Sequence, residues 1–397
     1  MANVARNLAI LAGGALADRV LGARRALLLG AALMAAGYAL MAVDAAALLG
    51  LPLWVLGAGA LTPSVVAQLD ALHAAGDPRR ARAFLLLYVA SNAGIFLSAF
   101  AHQEIASAAG WPTLLGAAAA AMLVALAVAL SGRRHSPAPQ REPRARGGGP
   151  AIAIACAIGA AAYGAMGAQF AAVTRWVEAG LAPRLLGWEA PGSWLLQPAS
   201  SGLVLVLAPL AALILGARRP SRPATVAIGC ALVALAVLLP VPAVDALERG
   251  DQSAAWALAS TATLCLGELL VGPLALSLVT ALAPRGWVAT AAASWVVARE
   301  LVAEYPARAI EASRAGLPAE APLLMAAALA LAGAVAALAL AARSGARMSR
   351  GLCSAGGGQK LSATARSTRV STAVAEIGRA PTPSPRLQSF SSTSQHV

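Results

Sequence analysis

The chain has little charge and few aromatic residues. Of its 397 residues only 12% are charged and 4% are aromatic, whereas about 25% of the residues of a typical soluble domain are charged. So little charge excludes an ordinary soluble enzyme. Apolar residues make up 59% of the chain, and they recur in runs of about 20 residues, the length that crosses a hydrocarbon core about 30 Å thick. The composition predicts an all-α protein that crosses the membrane many times.

Cysteine and histidine are too few and too scattered for a metal site. Cys156, Cys230 and Cys265 lie in apolar runs, and Cys353 lies in a polar tail. The chain contains no H-x-x-x-H or C-x-x-C pair, no glycine loop suited to a phosphate and no plausible Ser-His-Asp arrangement. We therefore expect no bound metal, no cofactor and no enzymatic activity.

Lysine is almost absent as well. Of the 30 basic residues 29 are arginine, and the formal net charge is +13. The arginines gather in short clusters between apolar runs, such as Arg79, Arg80 and Arg82, and these clusters alternate with loops that carry few basic residues. Because cytoplasmic loops are enriched in basic residues, the charge indicates orientation in a membrane and no nucleic-acid partner.

The apolar runs predict eleven membrane-spanning segments. Their approximate bounds are residues 7–22, 26–43, 48–69, 83–103, 112–131, 151–173, 196–216, 224–243, 254–281, 287–305 and 321–342.

The polar stretches divide these segments into two groups. Residues 132–150, rich in proline, glycine and arginine, predict a cytoplasmic linker between a helical bundle at 1–131 and a second bundle at 151–343. Residues 344–397 are rich in serine, threonine, arginine and glycine. They predict a disordered cytoplasmic tail, because burial of so few large apolar side chains would not offset the entropy of ordering them.

A polar motif follows the first apolar run. It reads GGALADRVLGARR at residues 13–25. Small residues such as Gly13 and Gly14 allow helices to approach closely, and Asp18 can pair with a neighbouring arginine or with the end of another helix. The alternative is a positive-inside loop in which the aspartate has no special role.

This motif resembles a signature of a known family. GGALADRVLGARRALLLG resembles the first signature of the proton-dependent oligopeptide transporter (POT) family of the major facilitator superfamily, and FLLLYVASNAGIF at 84–96 resembles the second. LGELLVGPLALSLVTALAP at 266–284 is similar to the family's tenth helix. The resemblance implies a major-facilitator fold of two six-helix bundles around a central cavity, of which this chain would hold family helices 2–6 and 7–12.

Glu268 is the first candidate for a functional residue. It lies in the middle of an apolar run, where an ionised carboxylate is costly, and it matches the glutamate of the family's tenth helix. The resemblance implies a role in binding the amino end of a peptide or in proton-coupled gating. The alternative is a neutral glutamate that forms a hydrogen bond between helices.

Four further residues match positions that the family uses around its cavity. Tyr88 and Asn92 are spaced i, i+4 on one helical face, and the resemblance implies contact with a peptide backbone, whereas without it a hydrogen bond between helices is the better interpretation. Gln169 matches a glutamine of helix seven and Trp295 a tryptophan of helix eleven that could line the cavity or simply pack. The resemblance also implies a cytoplasmic gate made by Gly14, Asp18, Arg19, Gly22, Arg24 and Arg25.

Three charged residues lie late in one apolar segment. Arg299, Glu300 and Glu304 fall within six residues. We expect them near the outer interface, where charge is less costly; the alternative is an extracellular gate.

The sequence also departs from the family pattern. Thr62 stands where the family has a lysine, Ser64 where it has an asparagine, and Ala168 where a glutamate is common. The E-x-x-E-R-F motif of the family's first helix has no counterpart, which we interpret as a gene start set too far downstream.

The resemblance therefore implies a monomeric, multi-pass protein of the plasma (inner) membrane, with no cofactor. Its expected function is the uptake of di- and tripeptides with protons, driven by the proton gradient through alternating access. Two alternatives stay open: a transporter of another small solute, and a degenerate paralogue that does not transport.

Overall fold

A computed structural model describes residues 2–73, 77–132, 149–178, 184–185, 188–189, 197–217, 222–241, 255–312, 321 and 323–339. The predicted tail and nearly all of the predicted linker lie outside these residues.

The described residues are almost entirely helical. The helices are α1 (Ala2–Leu16), α2 (Ala23–Met41), α3 (Ala47–Ala71), α4 (Pro78–Ser131), α5 (Gly149–Glu178), α6 (Gln197–Ala217), α7 (Arg222–Leu238), α8 (Ala255–Leu282), α9 (Val288–Ala312) and α10 (Leu323–Ala339). A π-helical turn (Ala17–Leu21) follows α1, and a 3-10 turn (Asp44–Ala46) precedes α3. Two short antiparallel strands, β1 (Arg184–Leu185) and β2 (Trp188–Glu189), pair with each other.

Each of the eleven predicted segments falls on a helix, and the predicted all-α membrane fold is confirmed. The segments at 83–103 and 112–131 share α4, which bends at Gly110 (φ 79°, ψ 167°). Only glycine adopts this backbone conformation readily, and Pro112 follows it. Six helical stretches among the described residues are long and apolar enough to cross a membrane, as judged by length and composition.

The helices pack through small residues and one large apolar cluster. Glycines of α2 face glycines of α3, so the two backbones approach closely. The largest cluster of buried side chains joins α5, α8, α9 and α10, and its members include Tyr163, Val279, Trp295 and Leu323. A smaller cluster of Val66, Phe84 and Ala292 brings α3 and α4 against α9.

Candidate functional site

Glu268 lies at the junction of four helices. It belongs to α8, and the Tyr88 hydroxyl of α4 and the Tyr163 hydroxyl of α5 are close enough to interact with it. Arg299 of α9 contributes a positive charge that acts on the same carboxylate. Glu268 and Arg299 are both half-buried. We call Tyr88, Tyr163, Glu268 and Arg299 the central cluster.

A glycine makes room for the two tyrosine rings. Gly272 lies one helical turn after Glu268, and a Cβ atom on it would come 2.5 Å from the Tyr163 hydroxyl and 3.6 Å from Cε2 of Tyr88. A larger residue at this position would push Tyr163 away from the carboxylate. Gly272 thus leaves room for the central cluster because it has no side chain.

Tyr163 is held in place by two side chains of α9. The Trp295 ring meets it edge-on, with 6.3 Å between ring centroids and an interplanar angle of 86°. The guanidinium carbon of Arg299 lies 5.1 Å from the centre of the same ring, a distance at which a cation is attracted to the aromatic face. Trp295 is only 2% exposed and packs against Gly159. In this structure it supports Tyr163, and its contact with a substrate stays a prediction.

The two predicted amide residues form hydrogen bonds within the helix packing. Asn92 donates from Nδ2 to the carbonyl oxygen of Tyr88 at 3.1 Å. Gln169 donates from Nε2 to the hydroxyls of Ser260 at 3.0 Å and Thr261 at 3.3 Å, which joins α5 to α8 about two turns away from Glu268. Asn92 therefore lies one turn from Tyr88, whereas Gln169 lies apart from the central cluster.

Asp18 of the predicted gate motif binds the end of a neighbouring helix. Its carboxylate accepts hydrogen bonds from the backbone N–H groups of Ala289 at 3.1 Å and Thr290 at 2.7 Å, and from the Thr290 hydroxyl at 2.8 Å. A carboxylate at the N-terminus of a helix satisfies backbone donors that have no partner within the helix. The sequence allowed Asp18 to pair with an arginine or with the end of another helix. In the structure it binds the N-terminal end of α9.

The remaining gate residues surround this contact. A Cβ atom on Gly14 would meet the carbonyl oxygen of Ala289 at 2.8 Å, so the glycine lets α1 approach α9. Gly22 ends the π-helical turn with a positive φ of 78°. The guanidinium carbon of Arg19 lies 4.3 Å from the Trp287 ring centre, while Arg24 is half-buried and Arg25 is exposed.

The role of Arg80 was not predicted from the sequence. Its position in a basic cluster between apolar runs is typical of a cytoplasmic loop, but the side chain is fully buried. Arg80 forms an ion pair with Asp70 of α3. It also donates from Nη2 to the Thr280 hydroxyl at 2.5 Å and from Nε to the Ser277 hydroxyl at 3.3 Å, both on α8. Three arginines within four residues look alike in the sequence, and no local pattern distinguishes the buried one.

The charges late in α9 separate from one another. Glu300 accepts a hydrogen bond from Arg6 of α1 at 2.6 Å, whereas Arg299 joins the central cluster. Their expected place near the outer interface stays a prediction. The Glu304 side chain lies outside the described atoms.

Part of the chain is similar in sequence to known proteins. Residues 24–147 match the family model described as POT family. Dipeptide and tripeptide permease A of Serratia proteamaculans is 33% identical over 118 residues, which cover 29% of this chain and 23% of that protein. The corresponding permease of Erwinia pyrifoliae is 35% identical over 121 residues, 30% of this chain and 25% of that protein. The chain thus aligns with about a quarter of the length of these two relatives.

Longer matches extend over most of the chain. The uncharacterized transporter YclF of Bacillus subtilis is 25% identical over 377 residues, 77% of this chain and 75% of that protein. A POT family transporter crystallised with a thioalcohol-conjugated peptide superposes with a TM-score of 0.60 at 18% identity over 86% of each chain. The POT family transporter PepTSo superposes with a TM-score of 0.57 at 17% identity over 86% of this chain and 88% of that one. The structural matches show the fold, and the resemblance to the POT family is confirmed.

Proposed function

We propose that this chain, a relative of the POT family, takes up di- and tripeptides together with protons by alternating access. The observation that carries the proposal is the central cluster. It places a carboxylate, two hydroxyls and a guanidinium where α4 of the first predicted bundle meets three helices of the second. Polar groups inside a membrane protein are costly unless they bind something.

Glu268 is suited to carry the proton. An ionised Glu268 attracts Arg299 and accepts hydrogen bonds, whereas a protonated Glu268 loses the attraction to the arginine and gains a donor. Each proton that binds or leaves therefore changes the forces between α8, α9 and α4. Such a change can favour one arrangement of the bundles over another, which is what coupling requires.

Polar contacts between the predicted bundles support alternating access. At one end of the helices Asp18 binds α9 and Arg80 binds α8. Farther along α1, Arg6 binds Glu300. Each contact consists of a few hydrogen bonds that can break and re-form. From the positive-inside pattern we propose that the end with Asp18 and Arg80 faces the cytoplasm of a plasma membrane protein.

A transporter of another small solute is the second candidate. The observation in its favour is Thr62, because a hydroxyl at the family's lysine position cannot neutralise a substrate carboxylate. The uptake experiment below tests both candidates and also the third, a protein that does not transport.

The test is uptake of radiolabelled Ala-Ala into proteoliposomes under an imposed pH gradient. Two pH units correspond to about 2.7 kcal/mol, enough for about 100-fold accumulation with one proton per peptide. We expect Glu268→Gln to reduce accumulation to about the external concentration, because the amide cannot carry a proton. Glu104→Gln removes an exposed carboxylate of α4 and should leave accumulation unchanged.

Other outcomes would reject the proposal. If Glu268→Gln accumulates as much Ala-Ala as the parent protein, Glu268 does not carry the coupled proton. Uptake of another solute with no uptake of Ala-Ala would favour the second candidate, and no uptake of any solute would favour the third.

A further inference from the structure

Arg299 presents donors beside Glu268. Its guanidinium lies over the Tyr163 ring, and a guanidinium that covers an aromatic face can still donate hydrogen bonds to another group. The side chain is half-buried rather than enclosed by the packing. Its donors can therefore reach a molecule that enters between the helices.

Among the described residues, Arg299 has no acidic side chain within the 4 Å of an ion pair. Its neighbour along α9, Glu300, forms an ion pair with Arg6 at 2.6 Å. The neighbouring acid, Glu300, is thus already bound by Arg6. The charge of Glu268 also acts on Arg299. A guanidinium in such a place favours an additional anion.

Tyr163 offers a second group for that anion. Its ring is 6% exposed, and its hydroxyl finds no hydrogen-bond partner of good geometry among the described residues. A buried polar atom without a partner is costly. The hydroxyl belongs to the same ring that Arg299 covers, so one carboxylate could bind both groups.

We propose that Arg299 binds the carboxylate of the transported substrate, with the Tyr163 hydroxyl as a second donor. This inference rests on the proposed function and specifies its substrate as a small molecule with a free carboxylate. Arg299 supplies the positive charge that Thr62 cannot supply. Since Glu268 and Arg299 both lie within residues 151–343, the carboxylate and the proton are bound by the same predicted bundle.

The test compares ligands that differ in the carboxylate alone. Binding of Ala-Ala, Ala-Ala-amide and the non-peptide 5-aminopentanoate is measured calorimetrically on the full chain in lipid nanodiscs. The variants are Arg299→Gln, Arg299→Lys and the control Arg82→Gln, which removes an exposed arginine of α4.

We expect the parent protein to bind Ala-Ala about 10- to 100-fold more tightly than Ala-Ala-amide, because a charged hydrogen-bond pair is lost with the amide. Arg299→Gln should abolish this preference and leave the affinity for Ala-Ala-amide unchanged. Arg299→Lys should retain part of the preference, and Arg82→Gln should retain all of it.

Each other outcome rejects a specific statement. If Arg299→Gln weakens the binding of Ala-Ala and of Ala-Ala-amide equally, Arg299 only supports Tyr163. The inference then fails, while peptide binding stands. If Ala-Ala does not bind but 5-aminopentanoate binds in a manner that depends on Arg299, the peptide function fails while the inference stands. If no ligand binds, both fail. If Arg299→Gln does not fold, as judged by size-exclusion chromatography, Arg299→Met replaces it, and an unchanged ligand preference in Arg299→Met overturns the inference.

Discussion

A single aspartate caps the start of α4. Asp77 precedes α4, and its carboxylate accepts a hydrogen bond from the backbone N–H of Arg79 at 2.7 Å. His73 lies 3.4 Å from the other carboxylate oxygen. The hydrogen bond from Arg79 lowers the pKa of Asp77 below its usual range, and His73 contributes less. Pro78 at the first helical position favours the same start of the helix.

The lowered pKa of Asp77 predicts a pH dependence of stability. A group whose pKa is lower in the folded protein stabilises it fully above the unfolded pKa, about 3.9 for aspartate, and loses this effect as the pH falls through the folded value. We expect the Tm of the parent protein to exceed that of Asp77→Asn between pH 5 and pH 7. Below about pH 3.9 the difference should shrink. Thermal melts of both proteins from pH 7 down to pH 3 measure the difference in Tm. A difference at pH 3 as large as that at pH 7 would contradict the prediction.

At the scale of elements, α2 and α3 pack through glycines spaced by two helical turns. Gly30 faces Gly57, and Gly37 faces Gly50. A Cβ atom on Gly57 would come 2.7 Å from the backbone nitrogen of Met34 and 2.8 Å from the carbonyl oxygen of Gly30. Backbone atoms cannot move aside as a flexible side chain would. The small residues therefore determine the distance between these two helices.

This packing predicts opposite effects for two glycine substitutions. Gly57→Ala should lower the stability by about 1–3 kcal/mol, the usual cost of overpacking. Gly116→Ala, where the new Cβ has open space, should be neutral or stabilising by up to about 1 kcal/mol because alanine restricts the unfolded chain. Thermal melts in the same detergent compare the two variants. Equal effects would show that α2 and α3 can move apart without cost.

At the scale of the whole molecule, Arg80 and Asp18 connect the two predicted bundles at one end. The Arg80–Asp70 ion pair lies within the first bundle, whereas the bonds of Arg80 to Ser277 and Thr280 cross to the second. This arrangement allows the two bonds to hydroxyl groups to be removed while the ion pair and the bond from Arg80 Nη2 to the Ser277 carbonyl oxygen, at 3.2 Å, stay. Arg80→Gln would instead also remove the charge that pairs with the buried Asp70 carboxylate.

The double variant Ser277→Ala, Thr280→Val tests whether these contacts hold that end closed. Two lost hydrogen bonds weaken the closed state by about 1–3 kcal/mol, which is about 5- to 150-fold in its opening equilibrium. We expect the amides of Ala289 and Thr290, which bind Asp18, to exchange hydrogen faster by about the same factor. Hydrogen exchange read by mass spectrometry measures this. Unchanged protection of these amides would show that the two contacts open independently.

The sequence alone determined the helical segments, because each apolar run is long enough to span a membrane and a backbone there must satisfy its own hydrogen bonds. It also predicted Glu268 and Tyr88 as candidates, since a charge in an apolar run and its resemblance to a family motif are visible along the chain. The binding partner of Asp18 was among the predicted alternatives.

Only the tertiary structure decided which distant residues meet. Tyr163 looks like any aromatic of a buried helix until α8 brings Glu268 beside it, and Arg299 looks like an interface charge until α9 turns it toward the same point. Arg80 resembles its neighbours Arg79 and Arg82 until α3 and α8 enclose it. These contacts join residues up to about 200 positions apart. Helix packing, which depends on shape over whole surfaces, brings such residues together, and no local pattern records it.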